Sequence, residues 1–175
     1  MWRIVTISGL SFTGTTTLAS ELARDLGWNV LSAGQRFREF CKSSNLSLTS
    51  IPTDVHTAFD NTIRQEIESL NNVVIEGRFL GYFAKDYEDV LKVWIHSDMA
   101  LRKDRCLARE TVLTTAEEAE KHILARDDYE KRIGSQLYTL ADFTDRSQFD
   151  YVFENNLEED PPAIIRHLVA AIASD

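Results

Sequence analysis

The sequence predicts a three-layer α/β fold, in which helices cover both faces of a parallel β-sheet. Short segments rich in β-branched residues read as continuous apolar runs and not as alternating ones, which is typical of strands buried on both faces. These segments alternate along the chain with amphipathic helical patterns, as parallel sheets require. The 175 residues contain no internal repeat and no linker rich in proline or glycine. We therefore expect one domain spanning residues 1–175.

Five segments have the strand pattern, and each is short enough to cross a sheet once. Their composition favours β-structure because β-branched and aromatic side chains fit a pleated, buried surface. The predicted strands span residues 3–8, 28–32, 72–76, 90–96 and 151–154.

Helical patterns fill the intervals between these strands. Leucine recurs at every fourth position from residue 18 to residue 26, and Gly27 follows as a C-terminal stop. Thr114 and Glu117 have the spacing of a capping box, which marks a helix start. The predicted helices span residues 15–26, 35–42, 52–70, 97–112, 114–133 and a C-terminal segment that begins with Asp160 as N-cap.

Composition excludes several classes of protein. The net charge of −9 argues against a nucleic-acid-binding surface, which needs excess cations. No run approaches the roughly 18 apolar residues of a membrane span, so we expect no membrane partner. Cys41 and Cys106 have the spacing of neither a zinc site nor a disulfide framework. Free thiols in the reducing cytoplasm are therefore expected, and the chain is expected to act as a monomer.

A glycine-rich loop (residues 9–17) follows the first strand and reads Gly-Leu-Ser-Phe-Thr-Gly-Thr-Thr-Thr. This is the pattern G-x-x-x-x-G-x-T between a strand and a helix, where backbone N–H groups surround phosphate oxygens. Thr16 has the position whose hydroxyl reaches Mg²⁺. The alternative is a purely structural role, in which the turn only caps the helix. The predicted phosphate-binding residues are Gly9, Ser11, Thr13, Gly14, Thr15, Thr16 and Thr17.

Thr15 stands where this loop normally has lysine. A threonine supplies no positive charge to the phosphate oxygens. An arginine that supplies such a charge in other phosphoryl-transfer enzymes raises the rate by ~10³–10⁵, so the loss of the lysine should be costly unless another cation replaces it. The arginines between Arg102 and Arg132 are the obvious substitutes.

Arginines also follow the next two strands. Arg38 lies shortly after the second strand and Arg78 directly after the third, and ligands of α/β sheets gather at these carboxyl ends. Both arginines can bind an acceptor phosphate through paired hydrogen bonds. Glu76, the last residue of the third strand, is a candidate to hold Mg²⁺ through its water shell.

The order of these motifs resembles the archaeal-type cytidylate kinases, a branch of the nucleoside-monophosphate kinases. After the loop come Ser-Ala-Gly-x-x-Phe-Arg at residues 32–38 and Val-Val-x-Glu-x-Arg-x-x-Gly at residues 73–81. Leu-Lys-Val-Trp-Ile, Leu-Arg-x-x-Arg-x-x-x-Arg and Arg-Asp-Asp-x-Glu-Lys-Arg follow at residues 91–95, 101–109 and 126–132. The likeness covers residues 3–156.

This resemblance implies a P-loop NTPase fold with sheet order 2-3-1-4-5 and phosphoryl transfer from ATP to CMP or dCMP with Mg²⁺. It also implies an acceptor-binding segment near residues 34–70 and a lid near residues 106–133. The lid residues that it implies for catalysis are Arg105, Arg109, Arg126 and Arg132, with Asp127 orienting one of them. The acceptor-binding residues that it implies are Ser32, Gly34, Arg38, Arg78 and Gly81. Thr15, the bulky Phe12 and Tyr129 depart from the family pattern.

The sequence leaves alternatives open. UMP or another small acceptor, such as a nucleoside or a cofactor alcohol, is compatible with the same motifs. Because Thr15 replaces the lysine, a nucleotide-binding protein with weak catalysis is a further alternative. The residues that read the base are not assigned, and polar candidates within residues 44–61 are Asn45, Thr53, Asp54 and Asp60.

Overall fold

A computed structural model of the protein describes residues 1–46, 51–140, 142–157 and 160–174. Its sheet is parallel, and the strands have the order β2-β3-β1-β4-β5. This confirms the predicted fold and strand order. The strands are β1 (Ile4–Gly9), β2 (Asn29–Ser32), β3 (Val73–Glu76), β4 (Val90–His96) and β5 (Tyr151–Glu154).

The helices of the described residues follow the predicted pattern with differences at their ends. The α5 helix ends at Arg109 and not near residue 112, and α6 continues to Tyr138, beyond the predicted residue 133. The short α4 was not predicted, because four residues are too few for a helical period. The helices are α1 (Thr15–Leu26), α2 (Ala33–Ser43), α3 (Thr53–Ser69), α4 (Leu80–Phe83), α5 (Met99–Arg109), α6 (Ala116–Tyr138) and α7 (Asp160–Ala173), with a 3₁₀ turn at Arg146–Gln148.

The capping box of α6 is formed by Thr115 and Glu118, so the predicted pair of Thr114 and Glu117 was wrong by one residue. The Thr115 hydroxyl accepts a hydrogen bond from the Glu118 N–H at 3.2 Å, and the Glu118 carboxylate accepts the Thr115 N–H at 3.0 Å. Threonines at 114 and 115 and glutamates at 117 and 118 satisfy the same sequence spacing. Only the backbone geometry distinguishes the two pairs.

The core lies on both sides of the sheet. Val5 and Ile7 of β1 pack with Leu18 and Leu22 of α1 and with Leu168 of α7 on one face. On the other face, Ile4, Ile75 and Trp94 pack against α3, α4 and the segment around Phe143. Neighbouring residues of a strand point to opposite faces, so the continuous apolar runs serve both layers. Within the described residues, the search for a helix long and apolar enough to cross a membrane finds none.

Candidate active site

A cavity of about 1410 Å³ lies at the carboxyl ends of β1, β2 and β3, between the glycine-rich loop, α2 and α3 on one side and α5 and α6 on the other. It exceeds the roughly 300–1,000 Å³ of an ordinary small-molecule site, so there is room for two ligands. Most of the predicted site residues line it. They are Gly9, Ser11, Gly14, Thr15, Thr16, Thr17, Gly34, Arg38, Glu76, Arg78, Arg105, Arg109, Arg126 and Arg132.

The glycines of the loop are required by close contacts. A Cβ on Gly9 would lie 2.7 Å from the carbonyl oxygen of Ile95. This oxygen belongs to the backbone, so it cannot rotate away to relieve the overlap. Gly14 has φ of +91°, a conformation that favours glycine, and it begins α1 as the N-cap residue. The free N–H groups at this helix start give the adjoining cavity a positive partial charge.

Thr13 supports the loop from behind and is not among the residues that line the cavity. Its side chain is buried, and its hydroxyl donates to the Leu10 carbonyl at 2.9 Å. Its own carbonyl accepts hydrogen bonds from Asn155 Nδ2 at 2.8 Å and from the Ser97 hydroxyl at 3.2 Å. The sequence motif predicted Thr13 but gave no signal for Asn155 or Ser97.

Glu76 is a buried carboxylate held by two hydroxyl groups. Thr15 Oγ1 donates to Glu76 Oε2 at 3.3 Å, and the Ser32 hydroxyl donates to Oε1. Ser32 also caps α2 by accepting the Gln35 N–H at 3.0 Å. Ser32 therefore lies behind the wall of the cavity and orients Glu76.

Two oxygen-bearing side chains that line the cavity, Glu76 and Thr16, have the chemistry that Mg²⁺ prefers. Glu76 and the hydroxyl of Thr16 are hard oxygen ligands, and Mg²⁺ is usually held by one or two carboxylates together with substrate phosphates and water. The described residues contain no cluster of three or more histidine, cysteine or acidic side chains that could hold a metal by themselves. These residues therefore fit an ion that arrives with a nucleotide better than a permanently bound one.

Four guanidinium groups form an arginine cluster (Arg38, Arg78, Arg109 and Arg126) inside the cavity. Burial, together with the charges of Arg126 and Arg38, lowers the pKa of Arg78 to about 9, although the charges of Asp127 and Glu76 act in the opposite direction. Burial also lowers the pKa of Arg126, and Arg109 and Arg38 add to this effect. Crowded cations of this kind favour the binding of an anion.

Arg78 already has an acidic partner on α6. Its guanidinium forms an ion pair with Glu130, whose side chain is largely buried. At neutral pH the arginine remains charged despite its lowered pKa, because about 9 is still above 7. A phosphate that enters here competes with Glu130 for the same guanidinium.

Arg105 and Arg132 have different surroundings from the cluster. Arg105 donates to the Ser97 hydroxyl at 2.9 Å, to the Asn155 carbonyl at 3.3 Å and to the Phe12 carbonyl at 3.4 Å. Burial lowers its pKa. Arg105 is thus tied to the back of the loop, whereas Arg132 is exposed and lies 5.4 Å from the centre of the Tyr129 ring.

Phe12 connects the glycine-rich loop to α5 and α6. It has φ of +64°, which is rare for a bulky residue, and it is buried. Its ring packs with Cys106 of α5 and with Ala119 and Ile123 of α6. The guanidinium carbons of Arg109 and Arg126 lie 4.3 and 5.3 Å from the centre of the same ring.

Asp127 forms a buried ion pair with Arg102 and not with one of the four predicted lid arginines. Both side chains also hold Ser11 of the loop. The Ser11 N–H donates to Asp127 Oδ1 at 3.2 Å, and Arg102 Nε donates to the Ser11 carbonyl at 2.7 Å. Arg102 begins the Arg-x-x-Arg pattern on α5, but the motif assigned it no role. Asp127 lies behind the cavity wall and fixes the position of the loop.

The two acceptor-side glycines have different roles. Gly34 lines the cavity, and a Cβ there would lie 3.3 Å from the Arg38 guanidinium. Gly81 is buried, and a Cβ there would lie 2.7 Å from the Phe149 ring. Gly81 is not among the described residues that line the cavity, so close packing against Phe149 accounts for its small size.

Aromatic and aliphatic side chains line the cavity beside α2 and α3, which we call the apolar end. They are Phe37, Phe59, Ile63, Phe79 and Phe83. His56 and Asp60 are polar residues of α3 that also line the cavity. His56 Nε2 lies 3.0 Å from the Tyr129 hydroxyl of α6, and burial lowers the pKa of this histidine. The sequence did not predict that Phe37, His56 and Tyr129 lie together, because these residues are far apart in the chain and belong to no common motif.

Residues 47–50, which belong to the predicted acceptor-binding segment and to the range of base-recognition candidates, lie outside the described residues. Asp60 is the candidate from that range which lines the cavity. Asn45, Thr53 and Asp54 are exposed and are not part of the described lining.

Solved structures share this fold. An uncharacterized protein from Eubacterium ventriosum superposes with a TM-score of 0.75 at 18% identity, covering 99% of both chains. Shikimate kinase from Bacteroides thetaiotaomicron superposes with a TM-score of 0.63 at 14% identity, covering 98% of both chains. At such identities the likeness concerns the fold alone.

Sequence comparisons are more specific. The cytidylate kinase from Thermococcus sibiricus is 34% identical over 174 residues, covering 97% of this chain and 87% of the relative. The cytidylate kinase from Archaeoglobus fulgidus is 29% identical, covering 96% of this chain and 93% of the relative. The profile of the cytidylate kinase-like family matches residues 33–157, which include β3 to β5 and the whole arginine cluster. The chain therefore belongs to the cytidylate kinase-like family.

Proposed function

We propose that this protein transfers the terminal phosphoryl group of ATP to a nucleoside monophosphate, with CMP or dCMP as the main acceptor. One observation carries the proposal: a single cavity is lined both by the glycine-rich loop and by Arg38 and Arg78, which follow β2 and β3. Two phosphorylated ligands can therefore meet in one cavity. The names of the relatives support CMP as the acceptor.

On the donor side, the N–H groups of residues 9–17 surround the phosphates of ATP. Thr16 and Glu76 would hold Mg²⁺, which neutralises phosphate charge when it is bound. Ser32 and Thr15 keep the Glu76 carboxylate in place. Because the Thr15 hydroxyl is uncharged, it leaves Glu76 with its full negative charge for the metal.

On the acceptor side, Arg38 and Arg78 bind the phosphate of the monophosphate. Arg78 exchanges its partner Glu130 for this phosphate when the acceptor enters. Arg126 interacts electrostatically with Arg38 and Arg78 and also with Arg109. These neighbours on both sides support a role for Arg126 in neutralising the negative charge that develops during transfer.

The cations that replace the usual lysine are Arg109 and Arg126. Both stack on the ring of Phe12, a residue of the loop. The loop therefore positions the two positive charges that take the place of its missing lysine. Arg105 donates to groups behind the loop, which supports a positioning role for it. Arg132, exposed at the cavity rim, is the remaining lid cation.

We propose one domain, in which residues 34–70 bind the acceptor and residues 106–133 form the lid. All the proposed residues lie on one chain, which supports a monomer. The buried thiols of Cys41 and Cys106 suit a reducing compartment, which supports a cytoplasmic location.

The test is an assay of ADP release with CMP, dCMP, UMP, AMP and several nucleosides as acceptors. We expect the highest kcat/KM with CMP or dCMP and no turnover of nucleosides. Turnover of nucleosides without turnover of monophosphates would contradict the proposal. ATP binding by calorimetry without turnover of any acceptor would instead identify a nucleotide-binding protein.

Substitution Arg78→Ala tests the acceptor side. We expect the KM for CMP to rise at least about tenfold, since a charged hydrogen bond to phosphate contributes about 1.5–3 kcal/mol, while the KM for ATP changes little. Arg36→Ala is the matched control, because this α2 arginine is exposed and pairs with Glu66. Equal rises in both KM values would contradict the role assigned to Arg78.

A further inference from the structure

We infer that Asp60 selects cytosine over uracil by accepting a hydrogen bond from the exocyclic amino group of the acceptor base. This inference rests on the proposed function and extends it to the base, for which neither the sequence motifs nor the family likeness assigns a residue. It follows from the position of Asp60, from its hydrogen bonds and from the chemistry of the two bases.

The position of Asp60 separates it from the phosphate end of the cavity. The phosphates are placed by the glycine-rich loop and the arginine cluster, so the base of the acceptor extends away from them, toward the apolar end. Phe37 and Phe59 meet there edge to face at 4.9 Å, and Phe37 lies 4.9 Å from the His56 ring. Flat aromatic surfaces of this kind suit a planar base. Asp60 on α3 lines this part of the cavity.

One oxygen of the Asp60 carboxylate is held in place and the other is available. The Tyr138 hydroxyl of α6 donates to Oδ2. Within the described ranges, no donor reaches Oδ1 within hydrogen-bonding distance. The nearby Arg64 guanidinium does not form an ion pair with Asp60; it stacks on the Phe83 ring, 4.1 Å from its centre. A fixed carboxylate with a vacant acceptor position thus lies against a cavity wall.

The burial of this carboxylate is costly, which argues that it is not retained for packing. Burial raises the pKa of Asp60 to about 6, although the hydrogen bond from Tyr138 and the charge of Arg64 both lower it. A neutral residue of the same size would avoid this cost. A ligand that donates a hydrogen bond to the ionised carboxylate recovers part of it.

Cytosine and uracil differ at the position that such a carboxylate reads. Cytosine presents an amino group at C4, which donates, whereas uracil presents a carbonyl oxygen, which accepts. An ionised carboxylate only accepts. It therefore pairs with the amino group of cytosine and faces the uracil oxygen with no proton between them, which leaves a buried charge unpaired.

The decisive variant is Asp60→Asn, which keeps the shape of the side chain and an oxygen for the Tyr138 hydroxyl. The amide can donate a hydrogen bond to uracil, which the carboxylate cannot. We expect kcat/KM for CMP to fall about 10- to 100-fold and kcat/KM for UMP to stay or rise, because one base contact is worth about 1–3 kcal/mol of discrimination. The KM for ATP should not change.

Two further variants separate recognition from folding. Tyr138→Phe removes the group that holds Oδ2, and we expect a smaller fall in the ratio of CMP to UMP turnover with an unchanged KM for ATP. Glu68→Gln is the matched control, because this carboxylate lies on the same helix but is exposed and contacts Tyr87. It should leave both substrates unaffected.

The possible outcomes distinguish this inference from the proposed function. A wild-type protein that phosphorylates neither CMP nor UMP overturns the proposed function and this inference with it. A wild-type protein that prefers CMP, together with an unchanged ratio in Asp60→Asn, overturns the inference alone. Equal losses on CMP and UMP would give Asp60 a structural role and overturn it as well.

Discussion

Thr15 shows how one residue alters the charge balance of the loop. Its hydroxyl donates to Glu76, the carboxylate that we assign to Mg²⁺. A lysine at this position would lie against the same carboxylate and form an ion pair with it. The positive charge that the loop lacks is available from Arg109 and Arg126, which stack on Phe12. Threonine is therefore compatible with catalysis in this protein.

Thr15→Lys tests this interpretation. We expect kcat to stay the same or fall, and the Mg²⁺ concentration for half-maximal rate to rise, because the new ammonium group competes with Mg²⁺ for Glu76. Ser20→Lys is the control, since it adds the same charge to an exposed position of α1. Steady-state rates across a Mg²⁺ titration measure both effects. A large gain in kcat would show that the natural loop is impaired.

Asp60→Asn has a consequence for stability that is separate from its effect on selectivity. The pKa of Asp60 is raised from 3.8 to about 6 by burial, so the native state binds this proton more tightly than the unfolded chain. Stability therefore falls as pH rises from about 4 to about 6, and at pH 7 the loss is about 3 kcal/mol. The groups that face Asp60 are Arg64 on its own helix and Tyr138 on α6.

The variant removes this titration. We expect urea unfolding to show that Asp60→Asn is more stable than the wild type at pH 7, by up to about 3 kcal/mol, and equal to it near pH 4. The exposed Glu68→Gln should show no such difference. A constant gap between the Asp60→Asn and wild-type unfolding energies across this pH range would contradict the raised pKa.

At the scale of elements, the loop is held by α5 and α6 through a buried pair. Arg102→Ala leaves Asp127 buried without its partner, which costs about 3–5 kcal/mol of unfolding free energy. Lys103→Ala removes the neighbouring pair with Glu120, which is partly exposed, and should cost less than about 1 kcal/mol. Urea unfolding of both variants measures the contrast. Equal losses of unfolding free energy in the two variants would show that the buried Arg102–Asp127 pair stabilises the fold no more than the partly exposed pair does.

The elements themselves were predicted well where the pattern is long. The helix at residues 53–69 was predicted as residues 52–70, and β4 was predicted with its observed bounds. The capping box of α6 was misplaced, because adjacent threonines and adjacent glutamates satisfy the spacing in two registers. The α4 helix and the 3₁₀ turn are too short to have a period, so they depend on tertiary contacts.

At the scale of the whole molecule, motif order identified the residues that line the cavity better than composition did. The residues of the glycine-rich loop that line the cavity follow from local sequence. Contacts between distant segments do not, because nothing in the sequence relates Asp60 to Tyr138 or Arg102 to Asp127. The net charge of −9 was equally uninformative about the cavity, where four arginines meet.

This contrast between total and local charge predicts a response to inorganic phosphate. Phosphate should bind the arginine cluster and raise the unfolding free energy by about 2.7 kcal/mol at 100 times its dissociation constant. Sodium chloride at equal ionic strength should have a smaller effect, because it only screens the charges. We expect the difference to shrink in Arg78→Ala and to persist in Arg36→Ala. Identical stabilisation by both salts would argue against an anion site.

The anchoring of Phe12 in α5 and α6 has a consequence for exchanging parts between related proteins. Ser11 and Phe12 contact Arg102, Arg105 and Asp127, so the loop is not a cassette that functions wherever it is placed. A chimera that imports residues 9–17 alone would separate the loop from the helices that shape it. Transplanting the loop together with residues 99–138 keeps the set intact. The loop and the helices that hold it therefore form one structural unit, which is discontinuous in sequence and contiguous in space.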